Sequence, residues 1–264
     1  PPGVSPGTTT NIGTFTNAGQ VRIGEGTSFS NFSNQGIPVA QYVQQTSGTT
    51  QIDGTFQNAG ARVENAGTMT VGTTGAYVQA FNKFVPVVST TVNTGTFINA
   101  GSTLINGGTF TNQGSLMNSG ALQVGVVGPG AVVNHGGVVN SGTFEVAALG
   151  HVSGTGSYVQ NAAAAQTIVN GTFAHNVTLQ AGTLTGTGTI QGTVQNSGGL
   201  LLPGNNGLGT LTIKGQYAQG FGGTFGVNLA GLNSHGLLAV QGSGVAVKLN
   251  GFLTIGLLNG FSPS

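Results

Sequence analysis

The sequence predicts an all-β chain wound as a parallel β-solenoid, with roughly triangular rungs of about 18–21 residues and insertions on the side. Three observations carry this. A short unit, Gly-Thr-Phe-x-Asn-Ala-Gly, recurs along the chain. Asn-x-Gly triplets return every six or seven residues, and between them apolar and polar residues alternate.

The unit occupies 13–19, 54–60 and 95–101, with a close variant at 108–114 and shorter relatives beginning at Gly67, Gly142 and Gly171. A second element, Tyr-Val-Gln, stands at Tyr42, Tyr77 and Tyr158, and Tyr217 heads the variant Tyr-Ala-Gln. Asn and Gly enter left-handed backbone at low cost, so each triplet reads as a tight corner. The corner residues are Asn17 and Gly19, Asn58 and Gly60, Asn99 and Gly101, Asn106 and Gly108, Asn112 and Gly114, and Asn118 and Gly120.

Between corners the alternation marks a strand with one buried face. In Gly108-Thr109-Phe110-Thr111-Asn112 the phenylalanine faces one way and both threonines the other. Leu104, Phe110, Leu116 and Leu122 recur at six-residue intervals and are read as one stacked interior column. A Gly in every such step would cost a helix about 1 kcal/mol each time. Only 161–166 has helical propensity, and it reads as a loop or single turn. Corners that repeat with one phase and one inward residue favour a coil over hairpins. About a dozen rungs at roughly 4.8 Å would make a rod about 60 Å long, with insertions such as 81–91 bulging from its side. The organisation is an extended lead over 1–10, a repeat solenoid over 11–199, and a β-rich continuation of the solenoid over 200–264.

Composition supports this and excludes other classes. Of 264 residues 50 are Gly, without the every-third spacing of a collagen helix, and 38% are hydrophobic, unlike a disordered chain. Only 3% are charged and the net charge is +1, so little repulsion keeps two copies apart and self-association is the physical default. Five scattered basic residues form no stripe for a phosphate backbone, which excludes nucleic acid as a partner. There is no Cys, hence no disulfide framework, and no apolar run of about 18 residues that would make a transmembrane helix. The absence of a basic and apolar leader gives the expectation of a mature exported form or a fragment.

No catalytic, cofactor or metal site is expected. The four acidic residues are Glu25, Asp53, Glu64 and Glu145; only Asp53 and Glu64 are near in sequence, and they read as two solvated positions. His135, His151, His175 and His235 are single, without the short spacings of metal ligands. The glycine string 182–192 lacks the strand–helix context of a dinucleotide site. Thr-x-Thr pairs at Thr14/Thr16, Thr68/Thr70, Thr109/Thr111, Thr183/Thr185 and Thr210/Thr212 would order surface water, as in ice-binding solenoids, if they stacked on one flat face. The plain reading of those threonines is strand propensity.

The stretches GTLTGTGTIQGTVQNSGGLLLPGNNGLGTLTIKGQYAQ (182–219) and GTFGVNLAGLNSHGLLAVQGSGVAVKLNGFLTIGLLNGFSP (223–263) resemble the repeat region of bacterial secreted adhesins, chiefly autotransporter passenger domains and related surface β-helix proteins. The resemblance implies a right-handed β-helix exported to the cell surface, without catalysis. Ser234-His235-Gly236 departs from it, since an acidic residue commonly precedes the leucine of that strand in the family. No translocator barrel is seen after the last residue, so the chain is not expected to anchor itself in an outer membrane.

Function follows as an expectation: a non-enzymatic, secreted structural protein that associates head to tail with its own copies into a filament, sheath or surface layer. The alternative is a fragment of an adhesin that binds a surface or glycan, through a lateral groove lined by Tyr42, Tyr77 and Tyr158. An ice-binding solenoid is the lesser alternative. The expected assembly edge is the apolar strand carrying Phe252, Leu253, Ile255 and Leu257, with neither end of the rod carrying a polar cap.

Overall fold

The computed structural model describes residues 7–32, 40–80, 89–242 and 246–262. Among these residues every regular element is a strand, thirty-four in all, and there is no helix. Three strands make one rung. The first rung runs Thr8–Asn11, Thr14–Asn17 and Gln20–Ile23, each on its own face, and the pattern repeats through eleven rungs until Phe252–Leu257 opens a twelfth on the first face. Successive strands on a face pair in parallel, as Thr96–Asn99 pairs with Ser115–Asn118 and that strand with Gly137–Asn140. The chain is a parallel β-solenoid.

Alternation sets which side chains enter the rod. In Gly108–Asn112, Phe110 and Asn112 are buried while Thr109 and Thr111 lie on the outer surface. Interior aromatic rings stack from rung to rung: Phe29 to Phe56 at 5.1 Å and Phe56 to Tyr77 at 5.4 Å between centroids. Strand spacing brings rings to the separation at which stacked and edge-on pairs are favourable.

The interior column differs from the six-residue reading. Phe110, Leu116 and Leu122 are fully buried, but they sit on the second, third and first faces in turn. Six residues advance the chain by one face, so these three point into the rod from three sides. The true columns follow register partners, such as Phe97, Leu116 and Val138 on the third face. Leu104 points outward, and its neighbours Thr103 and Ile105 enter the core, because the inward position is the second residue after the corner glycine, which Phe110, Leu116 and Leu122 occupy, whereas Leu104 stands third after Gly101.

Rung length is also more variable than 18–21. Register partners lie 17 residues apart at Thr183 and Leu200, and 28 apart at Thr224 and Phe252. Corner insertions absorb the difference and leave the strands in phase. Of the expected insertion 81–91, residues 81–88 lie outside the described residues, while Ser89, Thr90 and Thr91 belong to the strand Ser89–Asn93 on the second face. Of the expected lead, 1–6 lie outside the described residues and Thr8–Asn11 is the first strand. Residues 161–166 form a turn leading into Gln166–Val169. Near the C-terminal end Thr224–Gly231 outgrows its face and also pairs antiparallel with Ser234–Val240, which joins the first two faces.

Candidate functional site

The corners are built differently from the left-handed turn expected of Asn-x-Gly. Among the twelve corner residues only Gly60 has a positive φ, of 65°. Asn17, Asn99, Asn112 and Asn118 instead end their strands and Asn58 stands next to the end of its own, all five buried with the side chain turned inward. Their amides form cross-rung ladders. At the corner between the second and third faces Asn65 donates to Asn93 (2.8 Å), Asn93 to Asn112 (2.7 Å) and Asn112 to Asn134 (2.8 Å). The second amide hydrogen of each goes to a carbonyl of the next rung: Thr96, Ser115 and Gly137 respectively. A second ladder runs from Asn99 through Asn118 to Asn140, and Asn31 donates to Asn58 in a third. Asn17 starts the first of these by donating to Gln44, whose amide passes on to Asn65. Asn106 has another role: its Oδ1 accepts from the amides of Val126 and Val127 and holds the outward loop between two strands.

Glycine is demanded at the corners by close approach. A Cβ on Gly114 would lie 2.1 Å from the carbonyl oxygen of Gly95, on Gly120 2.1 Å from that of Gly101, and on Gly101 2.2 Å from that of Gly72. Backbone stacks on backbone there, leaving no room for a side chain. Gly108 meets the same limit against Ser89, at the start of a strand. Gly19 has open space around its Cβ position. The string 182–192 follows this rule as well, with Gly182, Gly186, Gly188 and Gly192 each against a carbonyl of the preceding rung.

The tyrosines line no lateral groove. Tyr42, Tyr77, Tyr158 and Tyr217 are all buried inside the rod, on the second, first, third and third faces. The first three share one arrangement. The hydroxyl of Tyr77 bonds Thr91 Oγ1 (2.6 Å), and Thr91 donates to Gln79 Oε1 (2.6 Å). Tyr158, Thr167 and Gln160 repeat it at 2.5 and 2.5 Å, as do Tyr42, Thr50 and Gln44. The threonine always comes from the next strand along the coil, so the triad ties consecutive faces together. At Tyr217 the next strand offers Phe225, and the hydroxyl donates to Gln219 instead. Burial pushes all four phenols above their ordinary range. A Tyr-x-Gln followed by an inward Thr one strand later is the signal that would have marked these residues as interior.

The ionisable groups do not converge. Asp53 accepts from Gln51 and pairs with Arg22 at 3.3 Å, whereas Glu64 pairs with Arg62 on another face. His135, His151 and His235 are exposed, and His175 is buried. Among the described residues no three His, Asp or Glu side chains stand close enough to share a metal ion. The Thr-x-Thr pairs fall on all three faces, and no pair is the register partner of another. The continuous threonine array of a water-ordering surface is absent from the described residues.

The remaining candidate is the strand Phe252–Leu257. It pairs only with Thr224–Gly231 among the described residues, and in register with it Phe225 meets Leu253, Val227 meets Ile255 and Leu229 meets Leu257. Leu253 thus continues the interior column of Leu201 and Phe225. Nevertheless Leu253, Ile255 and Leu257 are 63%, 62% and 53% exposed, and Phe252 on the opposite side is 63% exposed. A second apolar feature is the loop 125–129, whose Pro129 borders two grooves, one lined by Leu104, Val78 and the exposed Val127 and the other by Ala131 and Leu149.

No family model matches the chain, and no curated protein matches it. Among solved structures it is similar to the TibC-catalysed hyper-glycosylated TibA55-350 fragment, at 13% identity and a TM-score of 0.25, over 92% of this chain and 100% of that one.

Proposed function

We propose that this chain is a non-catalytic, secreted structural solenoid, the rod of an extracellular surface assembly, and that it associates end to end with its own copies. The carrying observation is the strand Phe252–Leu257, which sets Leu253 in line with the core column of Leu201 and Phe225 and leaves it uncovered together with Ile255 and Leu257 on the same side. Burying such side chains stabilises by about 1.5–3 kcal/mol each, and an unpaired parallel edge offers a strand template beside them. A net charge of +1 presents little repulsion to an incoming copy.

Electron microscopy and size-exclusion chromatography at low and high protein concentration test the reading. Growth into rods longer than one chain, lost in Leu253→Lys with Ile255→Lys, is the expected result. Single rods of about 55 Å at every concentration would overturn it. The second reading, a rod segment within an adhesin, is favoured by the resemblance of 182–263 to autotransporter passengers and would then lead, with glycan binding as the next assay.

A further inference from the structure

The longest amide ladder ends on a histidine. Asn134 accepts from Asn112 through Oδ1, which turns its Nδ2 toward the next rungs. One Nδ2 hydrogen goes to the carbonyl of Ser157 (3.0 Å) and the other faces Nε2 of His175 (3.3 Å). On the next rung Gly154, which follows the Val133 partner Ser153, provides no side chain. The imidazole of His175 reaches across that gap from a rung further on. Its Nδ1 lies 3.2 Å from the carbonyl oxygen of Asn176.

The ladder's direction decides the tautomer. With Asn134 offering a hydrogen, Nε2 must be the bare nitrogen, and Nδ1 carries the hydrogen that Asn176 accepts. Reversing Asn134 would set its amide against that of Asn112, and each amide back to Asn65 has its other hydrogen committed to a backbone carbonyl. The polarity is locked over the whole run.

We propose that His175 makes this corner a proton-sensitive latch, closed while Nε2 carries no proton. A proton there puts two donors face to face inside the rod, where neither has another acceptor, and the corner joining rungs six to eight must open. The titratable groups around it offer no compensation. His135 and His151 are exposed and turned outward, Lys214 is exposed two rungs on, and the Tyr158 hydroxyl is held by Thr167. Among the described residues no carboxylate bonds or pairs with His175.

Amide hydrogen exchange on the intact chain, at about pH 7.5 and about pH 5, tests the latch. Protection factors at Gly136 and Ser157 are expected to fall roughly tenfold in acid, the scale of one lost buried hydrogen bond, while Ser119 and Gly120 at the His-free corner keep theirs. His175→Gln, whose amide oxygen accepts without titrating, is expected to abolish the acid loss. Equal acid loss in His175→Gln, or none in the wild type, overturns the proposal. Should that variant fail to fold, nitrogen NMR of the wild type decides: a hydrogen on Nε2 at neutral pH refutes it.

Discussion

Asn112→Ala tests whether the amide ladders hold the rungs together. The native side chain is fully buried, accepts from Asn93 and donates to Asn134 and to the carbonyl of Gly137. Truncation leaves one hydrogen of Asn93 and the Oδ1 of Asn134 without partners in the interior. At about 1–3 kcal/mol for each stranded polar group, the loss comes to about 2–6 kcal/mol. Two controls share the experiment. Thr111→Ala changes the adjacent, outward residue and should cost less than about 1 kcal/mol. Asn17→Ala removes the ladder's first member, and its acceptor, Gln44 Oε1, still receives the Thr50 hydroxyl, so about 1 kcal/mol is expected. Urea unfolding followed by far-ultraviolet circular dichroism reads all three. Strand pairing joins each rung only to its neighbours, so Asn112→Ala should also broaden the transition as the array divides at its middle. An Asn112→Ala midpoint equal to that of Thr111→Ala would refute the ladder as a source of stability.

Further outcomes follow from the same geometry. Gly114→Ala places a methyl 2.1 Å from a backbone carbonyl and should cost at least about 3 kcal/mol, whereas Gly13→Ala, with open space, should be neutral or slightly stabilising; a thermal melt showing equal shifts would count against backbone stacking. Tyr77→Phe should cost about 1 kcal/mol in urea unfolding, since Thr91 keeps Gln79 as acceptor. Burial raises the Tyr77 and Tyr158 phenols above their unfolded value near pH 10, so the folded state holds the proton more tightly. Their contribution is complete below about pH 10 and declines as pH rises past it. Tyrosinate absorbance should therefore appear together with loss of strand signal. Full ionisation of all four tyrosines in a still-folded protein would contradict their burial.

The sequence by itself determined the class of fold and the grain of the chain. Asn-x-Gly every six or seven residues breaks any helix, and period-two alternation between the breaks leaves one apolar side per strand, so short strands joined by tight corners were legible. Phe110, Leu116 and Leu122 were recognisable as interior from that alternation alone. The partners were not legible. Which residue lies over which depends on the length of a full rung, and insertions vary that length from 17 to 30 residues without changing the local pattern. Leu104 faces outward because it stands third after Gly101, the tyrosines face the core and not the lateral groove that the adhesin alternative would use, and the corner asparagines act through their side chains and not through left-handed backbone. The Asn ladders, the Tyr–Thr–Gln ties and the reach of His175 across Gly154 join residues 6 to 41 positions apart. Only the stacked coil brings such residues within hydrogen-bond distance, because each contact runs between neighbouring faces or along the rod axis, where the local sequence carries no information.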